Sequence, residues 1–426
     1  MKHRICHVIK YAIGIILLVG FLNNSAIAAV TFNPRISVGN TFADNLNLTA
    51  DNEECDYITT LSPGIDVSIT GHLNTLSLSY TPSYASYLQF PENNTLRHNA
   101  LIDISRQITR TTQLEFSNSY LYTEDPISDI DTTYRQGRNP YTTNTAALSV
   151  NNQFGLEDSI ALGYEYYSLN NTDATIEDND YHHPSVTMNY WPVANRYGTE
   201  SEVGYTKRHF DDSEDYNDIH CRLRLLRRFG PHFDVYAEYT QELTDYVSEG
   251  EDYKVYSPLI GFVWDESINY SLSASFGYFF RENDHSGSDS GPLGTIESRY
   301  TWEQGTSISI SGVAGYDRAS GGAENLGFNP FYDVSGIIAY PLSSRFQSNL
   351  FAGYRWNIYT DEIPDRDDTI WRTGAGLTYQ VLPWMIVEMN YIFRKFDSNI
   401  DTEDYVENRA EFTVTLTPRQ PVMLSR

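Results

Sequence analysis

The sequence predicts an all-β protein, a transmembrane antiparallel β-barrel of about 20 strands, with about 18 as the alternative. Three observations carry this prediction. Apolar and polar side chains alternate over many segments of about ten residues, short turns alternate with longer acidic loops, and the tryptophans lie near the ends of the segments.

The chain begins with a segment that is typical of an export signal. Basic residues precede an apolar run from Tyr11 to Leu22, and Ala26-Ile27-Ala28 has the small-x-small pattern of a cleavage site. We therefore expect residues 1–28 to be a signal peptide that is cut after Ala28. A retained N-terminal anchor is the alternative, although the apolar run is short for a helix that spans a bilayer.

From Phe32 onward, one pattern recurs along the chain: strand, tight turn, strand, longer polar loop. Gly or Pro marks many of the tight turns, as at Gly71, Gly155 and Pro231, whereas the longer loops are acidic, as in "DDSEDYND" and "DEIPDRDD". The longest is "TEDPISDIDTTYRQGRNP", which is the best candidate for a loop that folds inward and narrows the barrel. The pattern predicts about twenty strands in a series of hairpins.

Several segments place apolar side chains on one face only. In "INYSLSASFGYFFREND" (268–284), every second side chain from Ile268 to Phe280 is apolar or aromatic. Segments 346–358 and 371–381 follow the same period of two, which is that of a strand with two different faces. Segment 255–264 departs from the pattern because it is apolar on both faces.

The apolar faces could meet a soluble core or lipid, and two observations favour lipid. Apolar residues make up only 40% of the chain, although Tyr and Phe number 33 and 20. Such a composition suits a protein with a hydrated interior and an apolar exterior. The Trp side chains lie beside predicted turns or loops, where a membrane–water boundary favours amphipathic rings. We expect an aromatic girdle of Trp191, Trp264, Trp302, Trp356, Trp371 and Trp384.

The two ends of the predicted sheet must pair with each other. Hydrocarbon offers no hydrogen-bond partner to an open sheet edge, so a membrane-spanning sheet has to close. The last predicted strand, "YVENRAEFTVTL", keeps the alternation through Phe412 and Leu416. We expect the barrel to occupy residues 29–417 and a short periplasmic tail to occupy residues 418–426.

The signal segment, the N-terminal strand "RISVGNTFADNLN", the Tyr-rich hairpins and the acidic loops together resemble outer-membrane β-barrel porin families of Gram-negative bacteria. The resemblance is closest to families whose genes accompany exopolysaccharide or exosortase systems. It covers nearly all of the mature chain, but no short motif carries it, so it transfers no functional residue. It implies a location in the cell outer membrane. The chain departs from many such barrels because it does not end on an aromatic residue, which places the signal for the barrel-assembly machinery in question or moves it to Phe412–Leu416.

If the apolar parity faces lipid, the opposite parity lines a lumen. The charged residues of that parity are the predicted pore-lining set: Arg222, Arg224, Arg281, Arg299, Arg355, Arg372, Arg394, Arg409, Glu115, Glu238 and Glu388. Asp103, Glu165, Glu297 and Glu411 share the same parity. Mixed charges across a hydrated lumen would guide polar solutes. The alternative is a set of salt bridges that stiffen the wall and select nothing.

Other functional classes find less support in the sequence. The net charge of −27 argues against nucleic acid as a partner. No spacing fits a Ca²⁺ loop, a metal cluster or a cofactor-binding loop, so we expect no metal and no cofactor. His182-His183 is a poor catalytic pair because adjacent strand residues point to opposite faces. The protein is therefore not predicted to be an enzyme.

The predicted function is a porin-like channel that passes polar solutes through a water-filled lumen. A conduit for exopolysaccharide secretion is the first alternative, and a structural or adhesive barrel without transport is the second. The expected partners are outer-membrane lipid and lipopolysaccharide, a polar solute or polysaccharide, and the barrel-assembly machinery.

Overall fold

A computed structural model describes the molecule over residues 27–126, 136–248, 250–267, 269–285, 287–321, 324–360, 366–400, 402–420 and 422–423. The predicted signal peptide therefore lies almost wholly outside the described residues, as does the middle of the loop after the fifth strand. No helix in the described ranges has the length and apolar character needed to cross a bilayer.

The described residues form one antiparallel sheet, and its strands occupy long stretches of the chain. Their bounds are β1 Ile27–Ala43, β2 Asp56–Gly71, β3 Asn74–Tyr87, β4 Thr95–Gln107, β5 Thr112–Thr123, β6 Tyr141–Gln153, β7 Ser159–Asn171, β8 Asn179–Val193, β9 Tyr197–Phe210, β10 Tyr216–Gly230, β11 Phe233–Tyr246, β12 Tyr253–Ser267, β13 Tyr270–Asn283, β14 Ser288–Thr301, β15 Ser307–Gly321, β16 Glu324–Ser343, β17 Phe346–Tyr359, β18 Arg366–Leu382, β19 Met385–Ser398, β20 Tyr405–Leu416 and β21 Val422–Met423.

Each of the first twenty strands pairs with its neighbours in sequence, and β20 closes the barrel by pairing with β1. The closing register runs from Ile36 opposite Leu416 to Ala43 opposite Arg409. The two-residue strand β21 continues this seam, because Val422 and Met423 lie opposite Phe32 and Thr31. The predicted fold class, a closed antiparallel barrel of about twenty strands, is confirmed.

Alternation along the strands gives the barrel an apolar outer face. In β13, Phe276, Tyr278 and Phe280 share one parity, and Phe276 is 64% exposed. The cross-strand partner of Phe276 on β12 is Ile260, which is likewise apolar and exposed. A surface of exposed aliphatic and aromatic side chains is costly in water and favourable in acyl chains.

Aromatic pairs border this outer face at both of its ends. On the outer face of β17, Phe346 contacts Tyr379 next to the tight turns, and Trp356 stacks with Tyr332 next to the loops. About ten residues separate Phe346 from Trp356, which is about 33 Å along a strand. At a strand tilt of about 40°, this length corresponds to about 25 Å along the barrel axis, the usual height of a lipid-facing band.

Candidate functional site

The inner face of the barrel is rich in small polar residues over its middle and its turn-side half. One cavity against the wall is lined by serines of β3, β4, β5, β6 and β8 together with Asp103, Glu115, Glu165 and His183. A second, on β13 to β16, is lined by Ser271, Ser273, Ser309, Ser311 and Ser335 beside Glu297 and Arg299. Small hydroxylated side chains leave space and offer hydrogen bonds, so this part of the interior suits water.

Arg222 and Arg224 of β10 form an ionic ladder with carboxylates of the two neighbouring strands. Nη2 of Arg222 donates to Glu202 at 2.9 Å, and Nε of Arg224 donates to Glu238 at 2.6 Å. Glu238 also lies 3.7 Å from Arg222, and Glu200 lies 3.4 Å from Arg224. These arginines lie on the inner parity of β10, and carboxylates of both neighbouring strands share their charge.

Two further arginines on the predicted list are paired across an intervening strand. Arg355 of β17 donates to Asp317 of β15 at 2.8 Å, and Arg372 of β18 donates to Asp333 of β16 at 3.2 Å. Each bridge skips one strand of the wall, and the concave inner face brings the two side chains closer together.

The remaining predicted lining residues are distributed around the wall. Glu115 accepts a hydrogen bond from Gln113 at 3.0 Å. Arg299 lies opposite Ser271 and Ser309, and Glu388 lies opposite Thr378 and Thr413. They share the inner parity with the paired arginines, but they do not converge on one point.

The described residues of the loop after β5, 124–126 and 136–140, fold inward and form a buried charged cluster. Nη2 of Arg409 donates to the Asp125 carboxylate at 3.1 Å, and Arg138 lies 3.4 Å from the same carboxylate. Arg97 forms a charged hydrogen bond with Glu124, which is 1% exposed. Residues 124–126 and 136–140 of this longest loop thus enter the lumen.

The loop between β1 and β2 supports this cluster from the other side. Leu46 is fully buried against Ile58, Ala85 and Tyr87 of the inner wall. Its carbonyl oxygen accepts a hydrogen bond from Nε of Arg138 at 2.9 Å, and Asn47 accepts one from the Gly137 amide at 2.9 Å. Two loops therefore narrow the same side of the barrel at its loop end.

The charged surroundings keep Asp125 ionised. Burial is the largest influence and raises the pKa of its carboxyl group, but Arg409 and Arg138, with Arg97 behind them, outweigh it. The net effect is a pKa of the Asp125 carboxyl far below its ordinary value. Asp125 thus remains an anion at neutral pH, which holds the loop to the arginines of the wall.

On the opposite part of the wall, an aromatic cluster fills the loop end of the interior. Tyr253, Phe279 and Phe328 are at most 2% exposed and contact one another through ring faces and edges. The guanidinium of Arg281 lies 4.4 Å from the ring centre of Tyr253 and 4.6 Å from that of Phe328, and it also donates to Thr360. We call Tyr253, Phe279, Arg281, Tyr316 and Phe328 the aromatic clamp.

The clamp exists because the β15–β16 hairpin leaves the wall. β14 pairs with β15 only from Gly294 opposite Ala314 downward, whereas β15 continues to pair with β16 above that level. Tyr316 of β15 reaches across to contact Phe279 of β13, and its hydroxyl lies 3.0 Å from that of Ser257 of β12. The upper hairpin therefore bends over the lumen. This also explains segment 255–264, whose second apolar face lies on the interior.

Most of the predicted girdle tryptophans lie on the outer parity or in turns. Trp264 contacts Tyr270, Trp302 contacts Tyr300, Trp356 stacks with Tyr332 and Trp371 contacts Tyr354. Trp384 lies in the turn between β18 and β19, where its carbonyl oxygen accepts a hydrogen bond from Thr417.

Trp191 is a correction to the predicted girdle. Its ring stands over Gly198 and under the guanidinium of Arg228, at 4.3 Å from the ring centre, on the inner parity. Val186, Met188 and Tyr190 of β8 are exposed on the outer parity, so regular alternation already places Trp191 on the inner one. The nearness of Trp191 to a turn predicted a girdle position, whereas the parity of its strand decides which face it occupies.

Several charged residues that lie in the interior were not among the predicted lining residues. Arg35 of β1 binds Asp66 and Thr81, and Arg97 binds Glu124. Both have the inner parity of their strands, so strict alternation could have identified them. Arg138 could not have been identified, because it is in a loop whose course depends on distant strands. Within the described ranges, no group of three or more His, Cys, Asp and Glu side chains is placed to hold a metal ion.

Comparisons with known proteins agree with this architecture. The FrpB iron transporter from Neisseria meningitidis aligns with a TM-score of 0.55 at 8% identity, over 91% of this chain and 82% of that chain. The siderophore receptor PirA from Pseudomonas aeruginosa aligns with a TM-score of 0.50 at 10% identity, over 91% and 80%. These likenesses show the fold alone.

The outer membrane protein OpdK from Pseudomonas aeruginosa aligns at 10% identity with a TM-score of 0.44, over 91% of this chain and 99% of that chain. A search of curated proteins found no match. The family model described as Putative beta-barrel porin 2 matches residues 29–187, which confirms the resemblance to β-barrel porin families over that range. The chain is therefore a closed antiparallel β-barrel whose residues 29–187 match the family model described as Putative beta-barrel porin 2.

Proposed function

We propose that the protein passes polar solutes through its lumen without covalent chemistry. One observation supports this most: the closed wall has an inner face of serines, threonines, glycines and paired charges, which water wets. The interior of a barrel widens with strand number, and barrels of about 16–18 strands already leave an aqueous channel. Two inward loops and the aromatic clamp narrow the loop end, so the clamp and loops, rather than the wall, would set the pore size.

The outer surface supports a location in the cell outer membrane. The apolar band lies between two levels of aromatic pairs, and the longer loops at one end are rich in carboxylates. We propose outer-membrane lipid and lipopolysaccharide as the surroundings of this band and the barrel-assembly machinery as the route of insertion. Phe412 and Leu416 face outward on β20 and would serve as the internal assembly signal.

Conductance of the refolded full chain in a planar bilayer tests the channel directly. We expect discrete current steps in KCl, and we expect the same preparation to give none after denaturation by heat. A folded barrel that produces no current would overturn the channel and leave a structural or adhesive barrel as the function. Addition of candidate sugars from one side, with current block as the readout, would then identify the solute.

A conduit for exopolysaccharide is the second candidate function. It is favoured by inner arginines on three adjacent strands, Arg355, Arg372 and Arg394, which could contact a hydrated polymer at successive positions. We predict that combined substitution of Arg222, Arg224, Arg355 and Arg372 by glutamine lowers polymer export from cells. Unchanged export by a variant that still inserts in the membrane would count against the conduit.

A further inference from the structure

A cavity of about 550 Å³ lies under the inward loops and opens to the lumen. Its volume is in the range of pockets that bind small molecules. Its lining is drawn from β1, β3, β4, β5, β19, β20 and the loop after β5, and it contains the polar side chains of Arg35, Thr81, Ser83, Arg97, Asn99, Thr123, Asp125, Arg394, Arg409 and Glu411.

Three of the four arginines in this cavity already have close anionic partners. Arg35 binds Asp66, and Arg97 binds Glu124. Arg409 binds both carboxylates of the cavity lining, Asp125 at 3.1 Å and Glu411 at 2.7 Å. These contacts fix the shape of the cavity and consume most of the hydrogen-bonding capacity of its charged groups.

Arg394 is the exception. It is 8% exposed, and among the described residues its guanidinium donates no hydrogen bond. Its ionic partner there is Glu407 on β20, whose carboxylate lies 3.7 Å away and is fully buried behind the lining. None of its nitrogen atoms is among the buried ones without a hydrogen-bond partner, so its donors remain accessible from the cavity. An anion in the cavity would give these donors charged acceptors in place of water.

We propose that this cavity is a binding site for a hydroxylated anion, of which a sugar acid is the type, with its oxyanion on Arg394. A guanidinium presents paired N–H donors that match a carboxylate or a phosphate. Thr81, Ser83, Asn99 and Thr123 supply hydroxyl and amide groups for the hydroxyls of the solute. The inference rests on the proposed passage of polar solutes, and it adds the chemical class of the solute and the residue that selects it.

Calorimetric titration of the refolded full chain in detergent tests the site without requiring conduction. Trigalacturonate is the anionic probe and maltotriose the neutral probe of similar size, and glucose 6-phosphate separates phosphate from carboxylate recognition. We expect trigalacturonate to bind at least about tenfold more tightly than maltotriose, as one charge-assisted contact implies. Equal affinity for the two trisaccharides, or no binding of either, would overturn the site. Preference for glucose 6-phosphate would identify the oxyanion as phosphate.

Substitutions assign the effect to Arg394. We expect Arg394→Gln to weaken trigalacturonate binding about tenfold or more, and Arg299→Gln to leave it unchanged, because Arg299 lies on β14 away from the cavity. Glu407→Gln should strengthen binding, since it removes the internal competitor for the guanidinium. A merely structural role for Arg394 would not predict a gain from Glu407→Gln, so loss or no change in that variant would overturn the proposal.

Each variant must first show the heat-dependent gel mobility of a folded barrel. If Arg394→Gln does not fold, Arg394→Lys replaces it, because lysine keeps the positive charge. We expect partial loss of binding with lysine because it lacks the paired donors. Binding without conductance would refute transport and leave the site intact. Conductance without anion binding would refute the site and leave the channel intact.

Discussion

Arg409 of β20 and Asp125 of the loop after β5 are far apart in the chain, yet Nη2 of Arg409 donates to the Asp125 carboxylate at 3.1 Å. The contact joins the closing strand of the barrel to an inward loop. Arg138 of the same loop approaches the same carboxylate. One buried anion therefore connects the seam of the wall with the element that narrows the lumen.

Asp125→Asn should release the loop from the wall. The amide cannot balance Arg409 and Arg138, and an unpaired buried charge costs more than the bridge it replaces. We expect a larger and noisier single-channel conductance than in the wild type. Asp173→Asn is the control, since Asp173 lies in an exposed loop and its carboxylate accepts hydrogen bonds from Thr175 alone among the described residues. Identical traces for Asp125→Asn and the wild type would show that this loop does not set the conductance.

The conductance should be stable as the pH falls from 7 to about 5. Because Arg409 and Arg138 hold the pKa of Asp125 far below its ordinary value, its ionised form stabilises the docked loop at neutral pH. That stabilisation decreases only when the pH falls below the unfolded value of about 3.9 towards the folded pKa. A conductance step between pH 5 and 7 that Asp125→Asn abolishes would contradict this assignment.

Phe328→Ala should loosen the aromatic clamp. Phe328 is 1% exposed and contacts Tyr253, Phe279 and Tyr316. Removal of a buried phenyl ring costs about 3–5 kcal/mol in a packed core. We expect a lower unfolding temperature together with a higher conductance, because the β15–β16 hairpin loses its hold on β12 and β13. Phe276→Ala, a change on the outer face, should leave the conductance unaltered.

Glu238→Gln should make the pore more selective for anions. Glu238 lies within 4 Å of both Arg222 and Arg224, so its neutralisation leaves two guanidinium groups under-compensated inside the lumen. Arg224→Gln should shift selectivity in the opposite direction. The reversal potential in a KCl gradient measures both changes. If neither variant moves it, the ladder is structural and does not face the permeating ions.

Tryptophan fluorescence can separate the two faces of the wall. In a protein that retains only Trp264, brominated lipid should quench the emission, because that ring lies on the outer face beside Tyr270. In a protein that retains only Trp191, brominated lipid should have little effect, because the ring lies under Arg228 on the inner face. Equal quenching of the two would contradict the inward position of Trp191.

The wall of the barrel was predictable from the sequence because its signal is local. Alternation in segments such as 346–358 and 371–381 reports which side chains meet lipid, and nine tight turns separate the hairpins as expected. The predicted inner parity of Arg222 and Arg372 follows from the same rule. Trp191 was misplaced because its girdle position was predicted from its nearness to a turn, whereas the alternation of β8 places it on the inner face.

The contents of the lumen were predictable only in part because they depend on contacts between distant segments. The length of the loop after β5 suggested that it folds inward, but nothing in residues 44–48 indicated that Leu46 would support it. The separation of β14 from β15 above Ala314 was likewise not predicted, although Gly291, Pro292 and Gly294 interrupt the alternation of β14 at that level. The pairing of the charges could not be predicted either. Alternation identifies Arg355 as an inner residue, but it does not identify Asp317 as its partner.

The seam between β1 and β20 has a consequence for engineering the chain. Both strands end at the turn side of the barrel as hydrogen-bonded neighbours, and β21 extends their contact to Thr31 and Phe32. A short linker could therefore join the two ends and a new opening could be made in an acidic loop such as residues 172–178. Such a circular permutant would retain every neighbour relationship in the wall while presenting both of its ends at the loop end of the barrel.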